Sequence, residues 1–151
     1  MRRSQFQRIL REVRAETLAQ MARDGYYSVG PHLRHDPPIP YDVNCGGCED
    51  FAMAVLSRLE QATGLAPGTL LRVSALPDGS EVEMFWLEEL EELAEVDPPN
   101  HCILRFDGRF YDAERPEGCA RVTELPIFTG RSRELALAEW ALQESALGVA
   151  G

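Results

Sequence analysis

The sequence predicts an α+β fold in a single domain over residues 1–151, with a cysteine-bearing central helix packed on a small antiparallel sheet and flanking N- and C-terminal helices. Apolar residues recur at helical spacing near both ends and in the middle. Asp107-Gly108 joins two runs rich in aromatic and branched residues, as a two-residue hairpin turn does. The element order, helix, helix, strand, helix, hairpin, helix, suits helices segregated on a small sheet.

At the N-terminus, Phe6, Leu10, Val13, Thr17 and Met21 fall on one helical stripe, widened by Ile9 and Leu18, and Gly25 follows as a stop. From Tyr26 to Val43 proline and aromatic residues are frequent and periodicity is absent, so a loop is expected there, with His32 and His35 exposed on it. The central helix is expected from about Cys48 to Ala62, burying Phe51, Val55 and Leu59 with Ala52 and Leu56 beside them, and Gly64 is a suitable residue just past its end. Leu70 to Leu76 reads as a strand and Pro77-Asp78-Gly79-Ser80 as a turn. Met84 to Val96 reads as a helix with an acidic face, ended by Pro98-Pro99. Leu125-Pro126-Ile127-Phe128 suits a short edge segment, and Arg133 to Leu147 an amphipathic helix. Trp86 and Trp140 are expected as core anchors.

Composition narrows the partners. With 44% hydrophobic and 26% charged residues the chain is globular, and 151 residues suffice to bury a core. A net charge of −10 argues against nucleic acid as the main partner. No apolar run is long enough for a membrane span, and the basic N-terminus lacks a following apolar stretch. Four cysteines in that setting point to reduced thiols and a cytoplasmic protein.

The hairpin carries the chemistry. With Asp107 and Gly108 as the turn, Phe106 pairs with Arg109, Leu104 with Tyr111, Ile103 with Asp112 and His101 with Glu114. Paired residues share a face, so His101 and Asp112 become diagonal neighbours, with Cα atoms roughly 7–8 Å apart. Cys102, Leu104, Phe106 and Tyr111 then point to the opposite side, into the core. A slip of one residue would separate His101 from Asp112.

A cysteine in the first turn of a helix gains from unpaired N–H groups and the helix dipole, both of which favour thiolate. Cys48 holds that position after Gly46-Gly47. An imidazole can take its proton and return it to a leaving group, while a carboxylate fixes the imidazole tautomer. Backbone N–H groups around Gly47 and Cys48 are candidates for an oxyanion hole. Glu49 and Asp50 add negative charge near the sulfur and suit the first helical turn. The expected catalytic residues are Cys48 as nucleophile, His101 as base and acid, and Asp112 as orienter, with Glu114 in reserve. No metal and no cofactor enters this chemistry.

At these residues the chain resembles the transglutaminase-like cysteine protein superfamily, which has a papain-like core. The motif of glycine, any residue, cysteine, any residue, acidic, aromatic, small reads here as Gly46-Gly47-Cys48-Glu49-Asp50-Phe51-Ala52. His101 and Asp112 match the family's histidine and aspartate on successive strands. The resemblance covers about residues 44 to 114. After the histidine, Cys102 and Ile103 stand where the family often has an aromatic residue, and Asn44 and Tyr41 are the candidates for an upstream oxyanion side chain. The resemblance implies a thiol hydrolase or acyltransferase acting on a peptide or protein amide through an acyl-enzyme.

Other readings stay open. Cys48 can be an inert buried thiol. Cys45-x-x-Cys48 can be a redox pair, or half of a structural zinc site completed from His101, Cys102 and Cys119, in a non-catalytic binding module. Cys45 is otherwise a structural thiol, or the partner of Cys48 in a regulatory disulfide. The acidic run Glu88-Glu89-Leu90-Glu91-Glu92 reads as a solvated face.

Overall fold

The computed structural model describes residues 1–24 and 35–150. The expected α+β architecture is present: a four-stranded antiparallel sheet whose strands lie side by side in chain order, packed by helices. The first helix, α1 (Arg3–Asp24), buries Phe6, Ile9, Leu10, Val13 and Met21. Phe6 stacks on Phe106 with ring centroids 4.3 Å apart and meets Tyr111 edge-on at 4.8 Å. This aromatic cluster ties the N-terminal helix to the hairpin. Gly25 and His32 lie outside the described residues.

The central helix, α3 (Cys48–Thr63), buries Cys48, Phe51, Ala52, Val55, Leu56 and Leu59. It ends as expected at Gly64, whose φ of 74° is left-handed and whose N–H returns to the Glu60 carbonyl. A five-residue helix, α2 (Pro40–Asn44), precedes it inside the segment read as loop. Proline opens α2, and the Asp42 carboxylate accepts the Ile39 N–H at 2.8 Å, half of a capping box.

The hairpin formed in the predicted register. Strand β2 (Cys102–Phe106) pairs with β3 (Arg109–Asp112) through Leu104↔Tyr111 and Phe106↔Arg109. Asp107 (φ 50°) and Gly108 (φ 79°) form the turn, both with positive φ as a type I′ turn demands. Cys102, Leu104, Phe106 and Tyr111 enter the main core with α1 and α3. Ile103 and Phe110 enter a second core with Leu87, Val122 and Leu125, so both faces of the sheet are covered.

Several expectations are corrected. Leu70 to Leu76 is not a strand. It begins with a 3-10 turn (Thr69–Leu71), and only an isolated bridge joins Ala75 to Glu81. The buried Glu60 carboxylate accepts the N–H groups of Gly68 and Leu70, which bends the backbone there and leaves Leu71 and Val73 exposed. Met84 to Val96 is not a helix. Strand β1 (Val82–Trp86) pairs with β2, and two 3-10 turns, Leu87–Glu89 and Glu91–Leu93, follow. Pairing with the hairpin outweighs the helical propensity of that acidic stretch. Leu125 to Phe128 belongs to 3-10 structure, Pro126–Thr129, rather than an edge strand.

Strand β4 (Arg115–Cys119) was not expected, because Pro116 and Gly118 argue against a strand; at the sheet edge the missing proline donor is tolerated. The C-terminal helix, α4 (Arg133–Ala150), has the predicted start. Trp86 is only partly buried against the main core, and Trp140 lies half-buried under the Arg14 guanidinium, 5.0 Å from its ring centroid. No helix among the described residues is long and apolar enough to cross a membrane.

Candidate active site

Three segments that are far apart in sequence meet where α3 starts against the sheet. Gly47 is the N-cap of α3 and Gly46 has a φ of 108°, a backbone conformation that an L side chain rarely takes. The chain therefore turns sharply out of α2 and points Cys48 at the start of β2. The Cys48 Sγ accepts the Cys102 backbone N–H at 3.4 Å. Glu49 and Asp50 occupy the first turn of α3 with exposed side chains.

His101 immediately precedes β2, and its carbonyl accepts the Leu87 N–H at 2.9 Å, which fixes the backbone on the β1 side. Its Nε2 stands 3.1 Å from Asp112 Oδ2. Nδ1 is buried without a hydrogen-bond partner, and besides Asp112 the ring interacts electrostatically with the Cys48 thiol. Asp112 uses both oxygens. Oδ2 serves His101, and Oδ1 accepts the N–H groups of Glu114 (2.9 Å) and Arg115 (3.0 Å) in the turn between β3 and β4. His101 is fully enclosed, Asp112 is 2% exposed and Cys48 7%. Cys48 is thus the least enclosed residue of the trio.

The electrostatics favour charge separation between sulfur and ring. Burial pushes the Cys48 thiol up, but the His101 ring and the N–H groups of Cys102 and Glu49 overcome that, and its pKa is lowered. Burial alone would discharge His101; the Asp112 carboxylate and the Cys48 sulfur outweigh it and raise its pKa to about 9. The other thiols show the opposite trend. Burial raises Cys45, Cys102 (to about 12) and Cys119.

The three residues expected from the sequence, Cys48, His101 and Asp112, are therefore together. The supporting expectations fare differently. Glu114 does not pair with His101, because the ladder gives way to the turn after Asp112; it accepts Asn44 Nδ2 at 3.0 Å and ion-pairs with Arg131. The Gly47 N–H is committed to the Val43 carbonyl at 2.9 Å, which removes it from any oxyanion hole. Asn44 and Tyr41 are likewise engaged, with Glu114 and with the Cys45 thiol.

His35 is not an exposed loop residue. Its side chain is buried, with Nδ1 at 3.0 Å from Asp42 Oδ1 and Nε2 at 3.0 Å from the Arg133 carbonyl. Cys45 is an exposed free thiol. Among the described residues, no three His, Cys, Asp or Glu side chains gather as a metal site requires.

One supporting residue escaped the sequence reading. Arg14 of α1 is buried and donates from Nη1 to the Ala113 carbonyl at 3.1 Å, one residue beyond Asp112. Burial lowers its pKa, while the charges of Glu117 and Asp112 act to raise it. Its position on the apolar stripe, four residues after Leu10 and three before Thr17, was the available signal.

Comparison with protein-family models, curated proteins and solved structures finds no match for this chain.

Proposed function

We propose that this chain is a thiol-dependent hydrolase or acyltransferase of transglutaminase-like type, acting on a peptide or protein amide. The observation that carries the reading is the buried Cys48–His101–Asp112 cluster, in which the thiol pKa is lowered and the imidazole pKa is raised. Burial alone would push both groups toward their neutral forms, so the opposite directions reflect their mutual contact and the Asp112 carboxylate.

In this reading the Cys48 thiolate attacks the amide carbonyl carbon, and the C–N bond breaks as His101 delivers its proton to the departing nitrogen. Asp112 keeps the ring oriented through both half-reactions. Water or an amine then gives its proton to His101 and displaces Cys48 from the acyl-enzyme. We favour water and hydrolysis of a peptide or isopeptide bond, a choice that rests on the resemblance.

An activity-based acylation screen, read by mass spectrometry of the modified peptide, tests this proposal. Cys48→Ala should abolish labelling and Cys45→Ala should leave it in place. Equal labelling of the two variants would refute the assignment.

A further inference from the structure

We propose that Glu114 is a positioning residue for the candidate nucleophile, its carboxylate tying the turn that Asp112 closes to the loop that carries Cys48. The inference rests on the thiol-hydrolase reading and adds a residue to that same site. Glu114 acts through Asn44, four residues before Cys48.

The hydrogen bonds form a closed circuit. Cys48 Sγ accepts the Cys102 N–H at 3.4 Å, and the neighbouring His101 holds Nε2 3.1 Å from Asp112 Oδ2. Asp112 Oδ1 accepts the Glu114 N–H at 2.9 Å, and Glu114 Oε1 accepts Asn44 Nδ2 at 3.0 Å. The orientation of the Asn44 amide follows from Glu114, since a flip would set oxygen against carboxylate. Asn44 ends α2, and the Gly47 N–H on the Val43 carbonyl at 2.9 Å leads back to Cys48. Nucleophile, base and orienter all lie on this circuit, and the Asn44–Glu114 bond joins its two halves.

The loop needs such an anchor. Core packing of Phe51, Val55 and Leu59 fixes the body of α3. Its entry runs through Gly46 and Gly47, residues with wide backbone freedom, so the first turn depends on ties from outside the loop. Glu114 is itself held firmly: its side chain is 9% exposed and pairs with Arg131, which is 8% exposed and also pairs with Glu139. Desolvation offsets much of the attraction in a buried ion pair, so what this pair chiefly secures is one geometry. The Arg131 charge also offsets repulsion between the Glu114 and Asp112 carboxylates, two residues apart.

The test uses the full chain with Cys45→Ala, so that Cys48 is the reporting thiol. Its alkylation by iodoacetamide is followed against pH by mass spectrometry, with urea denaturation of each variant alongside. Asn44→Leu should slow Cys48 alkylation at neutral pH by up to about tenfold, the worth of one hydrogen bond to a charged group, and move the midpoint up. Asn44→Asp should do the same. Adding Glu114→Gln to Asn44→Asp exchanges donor and acceptor and should restore the wild-type profile, whereas adding it to Asn44→Leu should restore nothing. A purely structural role would lower stability and leave the profile of the folded protein in place. A simple charge effect would spare Asn44→Leu. Either result overturns the proposal. If Asn44→Leu does not fold, Asn44→Ala serves as the neutral variant. A midpoint that moves in His101→Gln but not in Asn44→Leu removes the role of Glu114 alone; one that moves in neither removes the thiol-hydrolase reading with it.

Discussion

His101 Nε2 lies 3.1 Å from Asp112 Oδ2, with both side chains shut off from solvent, while the other oxygen of Asp112 closes the turn into β4. One carboxylate therefore sets both the ring and the backbone that follows it. Asp112→Asn replaces two acceptor oxygens by one acceptor and one donor, so the ring or the turn loses its partner. We expect Asp112→Asn to slow Cys48 alkylation at neutral pH and to cost about 1–3 kcal/mol of stability. Urea denaturation read beside alkylation rates checks both effects, and unchanged alkylation would contradict the orienting role.

The raised pKa of His101 gives a pH dependence with a definite sign. A folded-state pKa of about 9, against an unfolded value near 6.5, adds stability that is fully present below about pH 6.5 and is lost as pH rises through about 9. Urea denaturation across that window should show wild type losing stability that His101→Gln does not lose. Parallel profiles would mean that the ring is not held charged.

Arg14 links α1 to the backbone just beyond Asp112. Arg14→Met leaves the Ala113 carbonyl unpaired and should destabilise the fold by about 1–3 kcal/mol. Arg14→Lys should recover part of that loss, because it restores a donor. Thermal denaturation of the two variants measures the difference.

Two glycines with positive φ separate backbone strain from crowding. At Gly108 a Cβ meets nothing within 4 Å, whereas at Gly118 it falls 2.5 Å from the buried Tyr111 ring. Gly108→Ala should cost about 1 kcal/mol, and Gly118→Ala about 3 kcal/mol or more, because overpacking is added to strain. Equal losses would show that the Tyr111 ring can move aside.

What could be read from the sequence was local. Asp107-Gly108 dictates its turn through two adjacent residues, and that turn sets the register bringing His101 toward Asp112. The start of α3 was equally legible from Gly46-Gly47 and the apolar stripe that follows. β1 was hidden because its partner lies across a gap of some fifteen residues and its acidic continuation favours helix locally. β4 was hidden because Pro116 and Gly118 are acceptable only at a sheet edge, a property of the assembled sheet. The roles of Glu60, Asp42 and Arg14 depend on backbone groups brought near by folding, which no local pattern announces.

The pH profile of Cys48 alkylation, followed by mass spectrometry of its peptide, bears most directly on the reading of this site. The account predicts a thiolate that forms below the ordinary thiol value of 9.0 and a midpoint that moves up in His101→Gln. A midpoint at or above that value in wild type, unmoved in His101→Gln, would contradict it.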